Sequence, residues 1–539
     1  MSENKGIRNF KIINIIYIAT LILLGVRLFF LQVKPTEMVL GETNNNQVEY
    51  TSQIEYKILD SNNIEMIAHK EKYVLVVDAK PFKLNNYEET LEDLLALNFI
   101  MQSEKKDFNY TDIMKEYGKF YYIITKESYN KIQKLQNVKG IYTYIYDEYD
   151  FDEAWKVENM VANIDRDAKA LGEFEKYIMD VTKDNLQATA SFVMDEKSIF
   201  QDNNEYESQD SNNKNIKLTI NSIWSDEIRK VLMDDKYDFL DNIGVVLLEA
   251  NTGKIRAIVQ KNESAANINL AIGQLGYEPG SIFKTLTEAI ALDLGKINLS
   301  DSYTCEGIIC KKSHGTLTVD EALQVSCNDV FAKVGMEASY EELLKYTTNL
   351  GLYSKVLGIG GENREEAVGV MPTPKDGVSN FSIGQCVTVT PLQIAGAINA
   401  ITNNGVYVKP ILIDSIVDNN GDTIEETVVE ERTVFSSTTA KLVQGSMYNV
   451  IWSGSGFEAK VEGINQGGKT GTSTGVGGST NHGWFAGYFE MDGKMYTLVV
   501  LAPNIDDADE DGRELGGGNT GAPIYREVIN SLLNLKTDN

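Results

Sequence analysis

Three short strings stand in order along this chain: Ser281-Ile282-Phe283-Lys284, Ser326-Cys327-Asn328 and Lys469-Thr470-Gly471-Thr472. They constrain the fold more than any other feature of the sequence. Side chains that share one chemistry must meet within hydrogen-bond reach, so three distant segments have to converge. Singly, each string has an ordinary explanation. A serine can cap a helix ahead of a surface lysine, Ser and Asn can cap a helix–helix turn, and Lys-Thr-Gly can sit in a polar hairpin. All three in this order, each in a fitting context, point to acyl transfer through an active-site serine.

The local contexts carry the chemistry. Gly276 to Lys284 reads GYEPGSIFK, in which Pro279-Gly280 is a turn signal. An apolar-periodic helix follows, so Ser281 is expected in its first turn. There the free N–H groups and the positive end of the helix dipole favour developing negative charge. Lys284, three residues on, shares that face. A serine hydroxyl is a weak nucleophile that needs a base. Lys284 can serve if burial and positive neighbours lower its pKa.

Ser326-Cys327-Asn328 is predicted between a helix from Val319 to Val325 and another from Asp329 to Gly335. Asn328 can hold Lys284 and contact a substrate amide, and Ser326 can relay a proton to a leaving group. Lys469 to Thr472 is predicted on a strand, where Gly471 lets a substrate backbone approach closely. Lys469 would add positive charge near Lys284 and near a substrate carboxylate, which the Thr470 and Thr472 hydroxyls would bind. The backbone N–H groups of Ser281 and Thr472 form the expected oxyanion hole.

Around these strings the chain divides. Ile216 to Leu232 is predicted as a strand entering an amphipathic helix, and Ile243 to Gln260 as a hairpin turning at Asn251-Thr252-Gly253. Gly483 to Phe489 and Met495 to Leu501 are two more strands, and Tyr525 to Leu535 a closing helix. Strands at both ends of a helical middle imply an α/β domain whose sheet joins its termini. The polar run Gln201 to Asn215 is expected as a linker. The boundaries are therefore 34–215 for an α+β domain and 216–539 for the catalytic domain. The first shows strand-like runs such as Tyr73 to Val77 and helix-like runs such as Glu89 to Phe99, with no motif of its own.

Ile12 to Val33 is apolar enough to span a bilayer core of roughly 30 Å at about 1.5 Å per residue. Lys5, Arg8 and Lys11 precede it, which keeps residues 1–11 in the cytoplasm. Residues 12–33 are expected to be an uncleaved single-pass anchor, with the catalytic domain outside the cell. A formal net charge of -28 argues against a nucleic-acid partner, whose phosphates select basic surfaces.

With the three strings in place, the chain resembles class B penicillin-binding proteins, the monofunctional D,D-transpeptidases of cell-wall synthesis, in a Firmicutes-like form. The match runs from about Ile216 to Leu535. Ser382-Ile383-Gly384-Gln385 with Thr390-Pro391-Leu392-Gln393 is similar to the family's SxGQ…TPLQ segment, and Asn403 to Pro410 to its continuation. Cys305 to Asn328, Gly516 to Asn519 and Ala522-Pro523-Ile524 also fit. Tyr56 to Ala68 departs from the family's RGxIxDRxGxxLA-like string: it keeps Asp60 and lacks the Arg-Gly pair and the second Arg.

The resemblance implies a penicillin-binding/β-lactamase-like fold. A five-stranded antiparallel sheet is flanked by helices and a helical subdomain, after a membrane anchor and a pedestal or dimerisation-like domain. It implies that Ser281 attacks the penultimate D-Ala of a peptidoglycan stem peptide, with Lys284, Ser326, Asn328 and Lys469 catalytic and Thr470, Gly471 and Thr472 binding substrate. Stem peptides, β-lactams, the membrane and a glycosyltransferase of the SEDS type are the implied partners. A serine β-lactamase or β-lactam sensor on the same fold is the first alternative. No class A glutamate motif is present, and Ser326-x-Asn328 differs from the S-x-V of class D. A non-catalytic scaffold that activates a glycosyltransferase is the second.

Cys305-x4-Cys310-x3-His314 has ligand-type spacing, and thiolates with imidazole suit zinc. Asp301, Cys327 or water would complete the set. A Cys305–Cys310 disulfide and two reduced, packed thiols are the other readings. The serine mechanism requires no cofactor, so zinc here would be structural. His482 is expected as an exposed loop residue and His69 at the surface.

Overall fold

The strands predicted at the two ends of the catalytic region pair with one another. The computed structural model describes residues 46–535 apart from 54, 87, 151–152, 165–169, 196, 208–211, 475–480 and 510–511. The expected anchor, 12–33, lies outside the described residues. Among those residues, no helix is long and apolar enough to cross a membrane.

Helix α1 (Ser222–Leu232) precedes a hairpin of β1 (Gly244–Glu249) and β2 (Ile255–Gln260). Three strands from the far end complete the sheet: β3 (Gln466–Thr474), β4 (Asn481–Met491) and β5 (Lys494–Ile505). The order is β2-β1-β5-β4-β3, antiparallel throughout, with Val499 opposite Val246 and Lys469 opposite Ala486. Strands β1 and β2 read as near-continuous apolar runs because both faces of the sheet are covered. On one face, Val245, Leu247, Val259, Phe485, Leu498 and Val500 pack with Ile228 and Leu232 of α1 and with Ile524, Tyr525 and Val528 of the closing helix. The other face meets Pro391–Thr402, a helix buried along its whole length.

The middle of the chain supplies the helices that carry the site. They are α2 (Phe283–Asp293), α3 (Val319–Gln324), α4 (Asn328–Ala338) and α5 (Ser437–Ser453). Helix α3 starts with a capping box: Thr318 accepts from the Glu321 N–H and Glu321 accepts from the Thr318 N–H.

The chain forms two compact units that interleave in sequence. Among the described residues, one comprises those up to Glu55, His69–Tyr149 and those of 186–210; the other comprises Tyr56–Ala68 and those of 150–185 and 211–539. The first is α+β. Its sheet of Lys119–Ile124, His69–Asp78 and Ile141–Tyr149 packs Leu75 and Val77 with Leu94, Leu97 and Met101 of helix Leu91–Glu104. The second unit takes in residues expected within a separate 34–215 domain, for a physical reason. Ile58–Leu59 pairs in parallel with Ile216 and Lys217, and the buried Asp60 carboxylate accepts from the N–H and hydroxyl of Ser222. The expected linker also contributes to a strand. Phe200–Glu207 is a strand paired with Thr189–Met194, so a polar run here serves strand pairing instead of a loop.

Candidate active site

Ser281 lies in a short 3-10 turn, Gly280–Ile282, that leads into α2. Lys284 follows one turn on and is fully buried. Its Nζ lies 3.0 Å from Ser281 Oγ, 2.7 Å from Ser326 O, 2.6 Å from Asn328 Oδ1 and 3.2 Å from Ser326 Oγ. Two of these four neighbours, the Ser326 carbonyl and the Asn328 amide oxygen, can only accept. A neutral lysine amine has two N–H groups and one lone pair. Both N–H groups go to those oxygens, and the lone pair is left for a serine hydroxyl. Burial supplies the neutral form, pushing the Lys284 pKa down to about 7.

Lys469 reaches the same place from the sheet. It is fully buried on β3, and its Nζ donates to Ser326 Oγ at 2.9 Å, to Thr470 O at 2.9 Å and to Thr470 Oγ1 at 3.2 Å. Burial first, and the nearby Lys284 second, hold its pKa well below the ordinary lysine value. Ser326 thus stands between two lysines. Its backbone is left-handed, at φ 58, a costly choice for a residue with a side chain.

Close backbone packing fixes the two sides of the cleft. A Cβ on Gly280 would stand 2.5 Å from Thr472 O, and one on Gly471 2.8 Å from Pro279 O. Only glycine allows the Ser281 turn to lie against β3. Ser382 and Gly384 brace the turn from behind. Thr287 Oγ1 donates to Ser382 O at 2.7 Å, and Gly280 N to Gly384 O at 3.1 Å. Thr472 presents an exposed side chain whose Oγ1 accepts from Gly517 N at 3.1 Å. A Cβ on Gly517 would meet Trp484 O at 2.2 Å and Gly471 O at 2.3 Å, so the Gly516–Asn519 loop also requires glycine there.

Beside Ser326 lies the cysteine cluster. All four cysteines are free thiols. Donor atoms of Cys305, Cys310, His314 and Cys327 lie within 4.8 Å of one another, with Cys310 Sγ 3.7 Å from Cys327 Sγ and Cys305 Sγ 3.5 Å from His314 Nδ1. Asp301 is elsewhere, accepting from Asn298 N. Asp329 braces the loop: its carboxylate accepts from the N–H groups of Gly307, Ile308, Ile309 and Cys310 at 2.6–3.1 Å.

The structure brings Ser281, Lys284, Ser326, Asn328 and Lys469 into one network, with Thr470, Gly471 and Thr472 along its sheet side. His482 corrects the expectation of an exposed loop residue. It is buried in β4, accepts from Asn504 N through Nδ1 at 3.1 Å, and lies edge-on to Tyr277. Burial lowers its pKa to about 4, so it is a neutral packing group. Asp329 and Ser455 were not singled out in sequence. Ser455 Oγ lies 3.0 Å from Thr470 Oγ1. Its one signal is the run Gly454-Ser455-Gly456, whose small residues let the chain press against the segment before Ser326.

Comparison with known proteins gives this geometry a lineage. Residues 243–530 match the family of the penicillin-binding protein transpeptidase domain. Stage V sporulation protein D of Bacillus subtilis is 30% identical over 292 residues, covering 50% of this chain and 44% of that protein. Penicillin-binding protein H of the same organism is 27% identical over 401 residues, covering 65% and 56%. The chain spans about half the length of the curated relatives it matches. A peptidoglycan synthetase from Bifidobacterium adolescentis has the same fold, with a TM-score of 0.63 over 92% of this chain and 96% of that one, at 18% identity. Penicillin-binding protein 3 from Mycobacterium tuberculosis, solved with aztreonam, gives 0.61 over 91% and 97% at 18% identity. From the matched domain and the fold, the chain belongs to the penicillin-binding protein transpeptidase family.

Proposed function

We propose that this chain is a peptidoglycan D,D-transpeptidase that works through a serine acyl-enzyme and is a target of β-lactams. One observation carries the reading: the buried Lys284 amine, whose two N–H groups are taken by carbonyl oxygens and whose lone pair faces hydroxyls. That arrangement makes a lysine into a base for the Ser281 hydroxyl. Names among the relatives agree, including a peptidoglycan D,D-transpeptidase FtsI homolog from Mesostigma viride.

The positions support the following reaction. Ser281 Oγ attacks the carbonyl of the penultimate D-Ala in a stem pentapeptide, and its proton passes to Lys284 Nζ. The backbone N–H groups of Ser281 and Thr472 hold the oxyanion. The C–N bond to the terminal D-Ala then breaks. Ser326, in contact with both lysines, delivers a proton to the departing amine. The positive charge of Lys469 and the Thr472 hydroxyl attract and hold the substrate carboxylate, Thr470 being turned toward Lys469, and Asn328 orients the substrate amide. An amine from a neighbouring stem peptide attacks the acyl-enzyme, and Ser281 recovers its proton. A β-lactam acylates Ser281 by the same first step, its ring C–N bond breaking.

The test is acylation by a fluorescent penicillin, with peptide mass spectrometry to locate the adduct. A long-lived adduct on Ser281, absent in Ser281→Ala, supports the transpeptidase. Rapid turnover without accumulation would make the protein a β-lactamase instead.

Two further assignments belong to this reading. Residues 12–33 anchor the chain in the cell membrane with the catalytic domain outside, where a membrane glycosyltransferase of the SEDS type would supply glycan strands. Cys305, Cys310, His314 and Cys327 would hold one structural zinc. Thiolate ligands at about 2.3 Å in a tetrahedron stand roughly 3.8 Å apart, close to the 3.7 Å between Cys310 and Cys327. Bound zinc would tie the Cys305–His314 loop to the residue between Ser326 and Asn328. Metal analysis of protein purified with zinc should find one equivalent, and Cys310→Ser should abolish it; a metal-free wild type would rule the site out.

A further inference from the structure

The hydrogen-bond network of the site does not end at the motif residues. From Ser281 Oγ it runs to Lys284 Nζ, to Ser326 Oγ, to Lys469 Nζ and to Thr470 Oγ1. One more bond continues it, 3.0 Å to Ser455 Oγ. Ser455 is exposed, so the chain that starts at the nucleophile finishes at solvent.

Proton counting gives that last bond a direction. A protonated Lys469 has three N–H groups. Its three neighbours are Ser326 Oγ, Thr470 O and Thr470 Oγ1, so all three protons are committed. Thr470 Oγ1 then accepts from Lys469 and has one proton of its own to give. Ser455 Oγ is placed to take it. Without that acceptor, the Thr470 hydroxyl has no fixed reason to keep its lone pairs on Lys469.

The chain around Ser455 is built to keep it there. Helix α5 ends at Ser453, and Gly454 N and Gly456 N both donate to Val450 O, which closes the turn. Ser455 N donates to Gln324 O at 2.9 Å. A Cβ on Gly454 would stand 2.6 Å from that same oxygen, so the approach depends on glycine. The loop is thereby fixed to the segment that leads into Ser326, on the opposite side from Thr470. Ser455 ties the two walls of the cleft together through one backbone bond and one side-chain bond.

We propose that Ser455 is a positioning residue of the reaction: it orients the Thr470 hydroxyl and, through it, keeps the Lys469 ammonium on Ser326. This rests on the transpeptidase reading above. The predicted signature is in the pH dependence of acylation. Removing the Thr470 acceptor weakens the hold on protonated Lys469, so the alkaline limb of the profile, where Lys469 loses its proton, moves to lower pH.

The experiment measures the second-order rate of Ser281 acylation by a fluorescent penicillin, from pH 5.5 to 10, on the full chain. The variants are Ser455→Ala, Ser455→Thr, Thr470→Val and the Ser455→Ala/Thr470→Val pair. Ser455→Ala should lose about tenfold in rate, the worth of one hydrogen bond, with the alkaline limb shifted down. Ser455→Thr should restore both rate and profile. The pair should be no slower than Thr470→Val alone, because the two residues act as one unit. A Ser455→Ala protein with wild-type rate and profile overturns the proposal. So does a slower one whose profile is unshifted and which threonine does not rescue, since that describes damaged loop packing. If the wild-type protein itself is not acylated, the transpeptidase reading fails first, and the two failures are told apart.

Discussion

The Nζ of Lys469 lies 2.9 Å from Ser326 Oγ, and the two residues come from opposite sides of the cleft. Lys469 sits on β3 of the sheet; Ser326 sits between helices α3 and α4. The distance therefore measures whether sheet and helices are in register. Because Lys284 contacts the same hydroxyl, any slip between the two sides disturbs the contact between Lys284 and Ser281 as well.

Acylation should depend on the neutral form of Lys284. Its pKa, lowered to about 7 by burial, puts the change in the physiological range. Below that pH the ammonium has no lone pair, so the rate should fall about tenfold per pH unit on the acid side. Lys284→Ala should lose about 10²–10⁴-fold at pH 7.5 while the protein stays folded. A pH-independent rate between pH 5.5 and 8 would exclude Lys284 as the base.

Glu288, one turn beyond Lys284 on α2, should make the protein less stable as pH rises. It is fully buried, and burial, with the charge of Asp320 adding and the Ser446 hydroxyl opposing, pushes its pKa up to about 8. Unfolded, the same carboxyl ionises near about 4.3. Between those values the unfolded state has released a proton that the folded state keeps, so unfolding is favoured progressively. Above about 8 both states are ionised and the slope ends. Glu288→Gln should flatten the curve and gain on the order of a few kcal/mol over wild type at pH 8 relative to pH 5. Urea unfolding at pH 5, 6.5 and 8 reads this directly, and parallel curves for the two proteins would contradict it.

Gly517→Ala should weaken the site from outside the motifs. The added methyl would press on the carbonyls of Trp484 and Gly471, backbone that cannot step aside. We expect a stability loss of about 1–3 kcal/mol and slower acylation, as β3 is pushed toward the Ser281 turn. Thermal unfolding and stopped-flow acylation on the same preparation check both parts.

Asp329→Ala should release the loop that carries Cys310. Four backbone N–H groups lose an ionised acceptor together. Bonds to charged groups are stronger than neutral ones, and the loss should reach about 2–4 kcal/mol. Hydrogen exchange should rise first at Gly307–Cys310, with α4 protected; uniform exchange across the domain would instead indicate global destabilisation.

Much of the catalytic unit was legible in the sequence. Alternation and continuous apolar runs gave the sheet strands at both ends of the domain, because buried strands leave few choices of residue. Ser281 was placed in a helix's first turn by Pro279-Gly280, and the 3-10 geometry refines that by a fraction of a turn. What the sequence hid depends on tertiary contact. His482 reads as a loop histidine until Tyr277 and Asn504 enclose it. Gln201 to Glu207 reads as a linker until a neighbouring strand takes its backbone. Ser455 is one serine among many until Thr470 lies beside it. Asp60 similarly gains its meaning from Ser222, far away in sequence.

Strand β3 stands at the end of its sheet. A free sheet edge is ordinarily a hazard, since any extended chain can hydrogen-bond to it. In this protein that edge lies beside Ser281, and under the proposed function it would offer a ladder to an incoming peptide. Recognition of this kind reads the main chain and its terminus more than side-chain identity. A small rigid amide with a carboxylate in the right place satisfies the same ladder. Under the proposed function, susceptibility to such mimics would be built into the way the sheet terminates, and residues packed against β3, such as Gly517, could adjust its position without removing it.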